Sequence, residues 1–170
     1  MYPKVEGSND MLAKPITTIL AILVMTVGLS AADDAQVGMW KLNLAKSTFS
    51  PGPPPQSQVV TIEPSGKDGL KLALEAVNAQ GGKLNVSYSA QYDGKENPRT
   101  ETGAGAVSGQ TITLKRIDGY TAERVAYLAG KKLTTERWVI AKDGKTRTVT
   151  QTGTNPQGRT VNTVMVYEKQ

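Results

Sequence analysis

Glu75, Glu123 and Glu136 are carboxylates set within stretches that read as strands. Two carboxyl groups at a suitable separation can cleave a glycosidic bond, one serving as acid and the other as base or nucleophile. No motif links these three. The alternation around Glu75 also places it opposite the apolar side chains of its own stretch. Other common catalytic reagents are missing by composition. The 170-residue chain contains no Cys and no His, which removes thiol nucleophiles, disulfides, thiolate metal sites and the Ser-His-Asp triad. Zinc would have carboxylates alone. The Asp-Gly turns "YDGKEN" and "KDGK" lack the ligand series of a calcium loop. The expectation is a non-enzymatic protein with no cofactor and no metal, a weak carboxylate-based hydrolase being an alternative.

Binding chemistry is better represented. Arg116 shares a face with Ile112 and Leu114, and Arg147 shares one with Val149 and Gln151. An Arg turned inward would anchor an anion; at a rim it would snorkel to water. Tyr88 and Tyr92 lie on the apolar face of "KLNVSYSAQY", where their rings line a cavity or cap a core. Tyr127 and Trp138 sit on strands whose inner face alternation leaves open. Trp138 shares its side with Thr134, Glu136 and Ile140. If that side is internal, Glu136 is a buried acid that needs a partner; if external, Trp138 is an exposed contact surface. The candidate ligand contacts are therefore Tyr88, Tyr92, Tyr127, Trp138, Arg116 and Arg147. Lys and Arg number 20 against 15 Asp and Glu, a net charge of +5. These charges are scattered and lack the aromatic platform of single-strand nucleic-acid binders, so no nucleic-acid partner is expected.

These residues must be positioned by strands. "SQVVTIEP" sets Val60 and Ile62 on one face, and "LKLALEAV" sets Leu70, Leu72, Leu74 and Ala76 on one face. "QTITLKR", "TAERVAYL", "KLTTERWVIA", "TRTVTQTG" and "RTVNTVMVYEK" continue the pattern. Turn formers such as "NAQGGK", "KDGK" and "TNPQG" separate them. Short connections impose antiparallel neighbours. A one-sided meander of this size curls or closes, which also removes exposed edges. The fold expected is all-β, an antiparallel up-and-down β-barrel of about eight to ten strands, with a β-sandwich as the alternative. In "LAKSTFSPGPPPQSQ" only the start can form a helical turn; the Pro-rich remainder reads as a stiff extended loop across a barrel end. Small inward candidates, Ala76, Ala90, Ala122 and Ala126, leave room for a ligand or mark a narrow filled barrel.

The first thirty-two residues read as an export signal. Lys14 supplies a positive charge, Ile16 to Val27 an apolar run, and Ser30-Ala31-Ala32 a small-residue cleavage site. Met11 is a candidate true start. Residues 33–170 then form one domain, periplasmic or secreted, with no stable membrane span after cleavage.

Gly38-x-Trp40, followed by Lys41-Leu42 and Phe49, resembles the opening of the calycins, the lipocalins and fatty-acid-binding proteins. The stretch after the signal is also similar to small exported bacterial proteins of lipocalin-like type, with "WKLNLAKS" before a Pro-Gly-Pro loop and "VYEK" near the end. The resemblance implies a barrel with Gly38 and Trp40 as structural anchors. Burial of that indole in a core is worth roughly 3–5 kcal/mol against Ala. The expectation of a small apolar or amphipathic ligand rests instead on the alternating apolar face of nearly every strand, with Tyr and small residues among the inward candidates. In the fatty-acid-binding branch an Arg-x-Tyr pair on the last strand holds a carboxylate; the matching residues here are Met165 and Tyr167, and Met cannot neutralise an acid. Two lid helices of that branch are replaced by the Pro-rich loop. A late-strand Arg near the Trp, as in lipocalins, would be Arg147 or Arg159. A filled barrel serving as an envelope or protein-interaction module is the alternative function, and the oligomeric state stays open.

Overall fold

Alternating apolar residues and Asx-led turns build one antiparallel sheet. A computed structural model describes Met1, Pro3 and residues 34–170; the proposed start Met11, the apolar run Ile16–Val27 and the Ser30-Ala31-Ala32 cleavage site lie outside the described residues. The strands are β1 (Gly38–Leu42), β2 (Ser57–Pro64), β3 (Gly69–Val77), β4 (Lys83–Gln91), β5 (Asn97–Pro98), β6 (Thr100–Gly103), β7 (Gln110–Arg116), β8 (Thr121–Leu128), β9 (Lys131–Ile140), β10 (Thr146–Thr154) and β11 (Thr160–Lys169). Four of the turns use the same local chemistry. The side-chain oxygens of Asn78, Asp118, Asp143 and Asn155 each accept the backbone N–H two residues on, so the turn is closed by its own first residue.

Neighbours in sequence pair in space, and β11 returns to pair with β1, with Trp40 opposite Lys169 and Leu42 opposite Tyr167. The result is a single, nearly closed barrel rather than a sandwich. Eleven strands stand where eight to ten were expected, because residues 97–103 divide their pairing. Asn97–Pro98 pairs with β7, and Thr100–Gly103 pairs with β4. Pro98 has no N–H to donate to a ladder, and the bent segment spans the gap between the two edges it touches. Counted as one strand, it makes ten.

The segment before β1 folds across one end of the barrel. Trp40 is fully buried and its Nε1 donates to Gln36 O at 2.9 Å. Gln36, 2% exposed, donates through Nε2 to Tyr120 O. Ile62, Leu70, Ile112, Leu114 and Ile140 fill the space beneath. Trp40 is thus the anchor expected, and Gly38 beside it has φ +141 with the Lys169 chain where a Cβ would stand. The cation over the Trp40 ring is Lys169, 5.1 Å from its centroid. Arg147 and Arg159, the residues expected there, are respectively in the barrel interior and exposed.

The Pro-rich loop behaves as its composition dictates. A single 3-10 turn, Leu44–Lys46, precedes it, capped by the Asn43 side chain. Thr48 and Ser50 then run along β11, bonded to Val164 and Asn162, before the chain crosses to β2.

Closure depends on Gly103. Its φ is +100, and a Cβ there would sit 2.2 Å from Lys83 O on the partner strand. Substitution forces β6 off β4. Gly103→Ala is expected to lower stability in urea unfolding by about 2 kcal/mol or more, whereas Thr102→Ala at the exposed neighbouring position stays within about 0.5 kcal/mol.

Candidate functional site

Inner-facing residues of β2, β3 and β4 supply Val60, Leu72, Leu74 and Val86, and those of β8, β9 and β10 supply Arg124, Glu136, Trp138, Arg147 and Gln151. Between these two walls lies a cavity of about 290 Å³, bordered also by Tyr88, Arg99, Met165 and Tyr167. Pro55 of the Pro-rich loop and Asn78 of the β3–β4 turn also border it. The cavity is therefore two-sided, aliphatic on one wall and charged on the other.

Trp138 and Glu136 both face inward, which answers the question their alternation posed. The buried acid has its partner. Arg124 and Glu136 are opposite in the β8–β9 register, and the guanidinium grips the carboxylate through Nη2 on one oxygen and Nε on the other, the latter at 3.0 Å. Trp138 Nε1 donates to Oε2 at 2.8 Å and Gln151 Nε2 to Oε1 at 3.1 Å. Each Glu136 oxygen thus accepts two hydrogen bonds. Burial works to raise the Glu136 pKa, but the Arg124 charge and the hydrogen bonds from Trp138 and Arg124 carry it below the ordinary value. Glu136 is an ionised counter-ion with its lone pairs committed, which is poor chemistry for a general acid. Glu75 is exposed, and Glu123 has the opposite parity to Arg124, so neither carboxylate joins it at the cavity.

The remaining cations are unequal. Arg99 pairs with Glu101, and its Nε finds no partner among the described residues. Arg147, 2% exposed, meets no carboxylate among the described residues. Its Nε donates to Gln36 Oε1 at 3.3 Å. Its guanidinium carbon lies 4.4 Å from the Trp138 ring centroid and 5.6 Å from that of Tyr167. Such stacking is a real but modest attraction, against a desolvation cost of several kcal/mol for a buried charge. Burial pushes its pKa down, yet a guanidinium stays charged. The Tyr88 hydroxyl is fully buried, and burial pushes its pKa up.

Of the six expected ligand contacts, Tyr88, Trp138 and Arg147 come together at the cavity. Tyr92 and Arg116 do not. They belong to the filled end, where Tyr92 Oη donates to Asp34 Oδ2 at 2.6 Å. Arg116 Nη2 donates to Asp34 and Asp68 and stacks 3.9 Å from the Tyr92 ring centroid. Arg116 is thus the rim arginine, held by carboxylates. Tyr127 is half-buried and does not border the cavity, since it shares the parity of Glu123 rather than that of Arg124. Arg124, Arg99 and Tyr167 border it without having been expected as ligand contacts. A signal for Arg124 existed: Ala122 and Ala126, both inward candidates, bracket it at the same parity.

Comparison with known families finds no matching family model, and comparison with curated proteins and with solved structures finds no match. Among the described residues no helix is long and apolar enough to cross a membrane.

Two measurements test these charges. Glu136→Gln leaves Arg124 buried beside a neutral amide and is expected to cost about 3–5 kcal/mol in chemical unfolding, while the Arg124→Met, Glu136→Leu double variant recovers only part of that loss, because the Trp138 N–H is left without its acceptor. Asp34 is the second: burial raises its pKa, but hydrogen bonds from Tyr92 and the Gln36 N–H and the Arg116 charge bring it below the ordinary value. A carboxylate with a lowered folded-state pKa contributes stability that is complete above its unfolded value, about 3.9, and is lost as pH falls through the folded one. The stability gap between wild type and Asp34→Asn is therefore expected to be flat from pH 6 to 8 (roughly) and to shrink below about pH 4 in pH-dependent urea titrations.

Proposed function

We propose that this chain is a lipocalin-like binding protein for a small apolar or amphipathic molecule, acting outside the cytoplasm once residues 1–32 are removed. The observation that carries the reading is the two-sided cavity of about 290 Å³, at the lower edge of the size range of small-molecule pockets. Its aliphatic wall offers burial to an apolar body. Its charged groups converge on the opposite wall, which is the pattern of a site that orients what it holds. The export part of the reading rests on the apolar run and the small-residue cleavage site in the sequence. Catalysis has no support here, because among the described residues Glu136 is the one carboxylate bordering the cavity and its oxygens are fully engaged.

The test is titration of residues 33–170 with the neutral apolar probe N-phenyl-1-naphthylamine. Saturable one-to-one enhancement of probe fluorescence is expected, with Kd roughly 1–100 µM for a ligand of this size. Leu74→Trp, which fills the aliphatic wall, is expected to abolish it. Absence of saturable uptake by the folded wild type would overturn the reading in favour of a filled, structural or interaction module.

A further inference from the structure

We infer that the cavity selects a compact amphipathic monoanion, with its anionic head at Arg147 and its apolar body against Val60, Leu72, Leu74 and Val86. This rests on the binding reading above and specifies the chemistry of the ligand's polar end.

The sign of the head follows from which charges are already matched. Arg124 is held by Glu136 and Arg99 by Glu101. Arg147 is the cavity cation left with an amide oxygen and two aromatic rings. A buried cation without a counter-ion is costly, and a charge-assisted, bidentate contact with an oxyanion is the strongest remedy open to a guanidinium. Hydrogen-bond polarity points the same way. Among the described residues the Glu136 oxygens are each taken twice, leaving that carboxylate no capacity to accept from a ligand. The charged wall thus offers no free carboxylate oxygen and the Arg147 guanidinium only donates, so the group that completes it must bring acceptors. A neutral carbonyl would meet the donors and leave the charge unmatched. A cationic head would meet Arg147 with repulsion and find Glu136 committed. One unmatched cation calls for a single negative charge.

Size limits the body. At about 30 Å³ for each water-sized group, 290 Å³ holds about ten such groups. An eight-carbon acid fills that space; a much longer chain has to emerge past Pro55 and Asn78, which border the cavity.

The experiment compares three probes with the same chain: octanoate, 1-octanol and octylammonium, each displacing N-phenyl-1-naphthylamine at neutral pH. Octanoate is expected to compete at least about tenfold more tightly than 1-octanol, with octylammonium weakest. Octanoate binding should weaken as pH falls through the acid's own pKa. Arg147→Met should remove the preference for acid over alcohol. Lys131→Met, which removes a charge from the exposed start of β9, should leave it intact and thereby separates a local contact from net charge. Melting temperature supplies a second readout: octanoate should raise it for wild type and not for Arg147→Met. Equal competition by acid and alcohol, tighter binding of octylammonium, or failure of all three to displace a bound naphthylamine would overturn the inference while the binding reading stands. If the naphthylamine does not bind, both fall.

Discussion

One carboxylate organises the interior of this barrel. Glu136 gathers Arg124, Trp138 and Gln151 from three adjacent strands, and each of its oxygens serves two donors. Without it the β8–β10 wall would hold a second unmatched guanidinium and an indole N–H with no acceptor, in a region of low effective dielectric where both are costly. With it, Trp138 is fixed edge-on to the carboxylate and face-on to Arg147. The charged wall is consequently a built surface rather than a loose set of side chains, and the aliphatic wall opposite can stay unfilled by protein.

The two ends of the barrel divide the work. At one end the Asp34–Val37 segment, Trp40 and the Tyr92–Asp34–Arg116–Asp68 cluster seal the interior with hydrogen bonds and packed apolar side chains. At the other, Pro55 and Asn78 border the cavity. Gln36 belongs to both regions, since one side of its amide anchors the N-terminal segment to Tyr120 and the other accepts from Arg147.

Parity along a strand was readable from the residues alone; depth and register were not. The inner faces of β2, β3 and β4 follow directly from Val60–Ile62, Leu70–Leu72–Leu74 and Val86–Tyr88–Ala90. Arg116 has the parity of Ile112 and Leu114 and does face their side, but it lies at the strand's end, where Asp34 and Asp68 wait for it. Trp138 stayed ambiguous because Val139 and Ile140 give both faces an apolar residue. Its side is decided by Arg124 on the neighbouring strand, a cross-strand pairing that no single stretch encodes. Arg99 was invisible for another reason. It sits between Pro98 and Thr100, where "DGKENP" reads as a turn, and the strand it belongs to exists only by dividing its hydrogen bonds between two neighbours.

The pairing of β1 with β11 has a consequence for how the chain comes to be folded. Each hairpin from β2 to β4 and from β7 to β11 joins neighbours and can form as soon as its two strands exist. The seam between Trp40 and Lys169 cannot. Until the last strand is made, the first one presents an unpaired edge and a large indole to its surroundings, the conditions under which nascent sheets associate with one another. Completion of the barrel therefore waits on β11, and a chain interrupted before Thr160 has two open edges where the finished barrel has a seam.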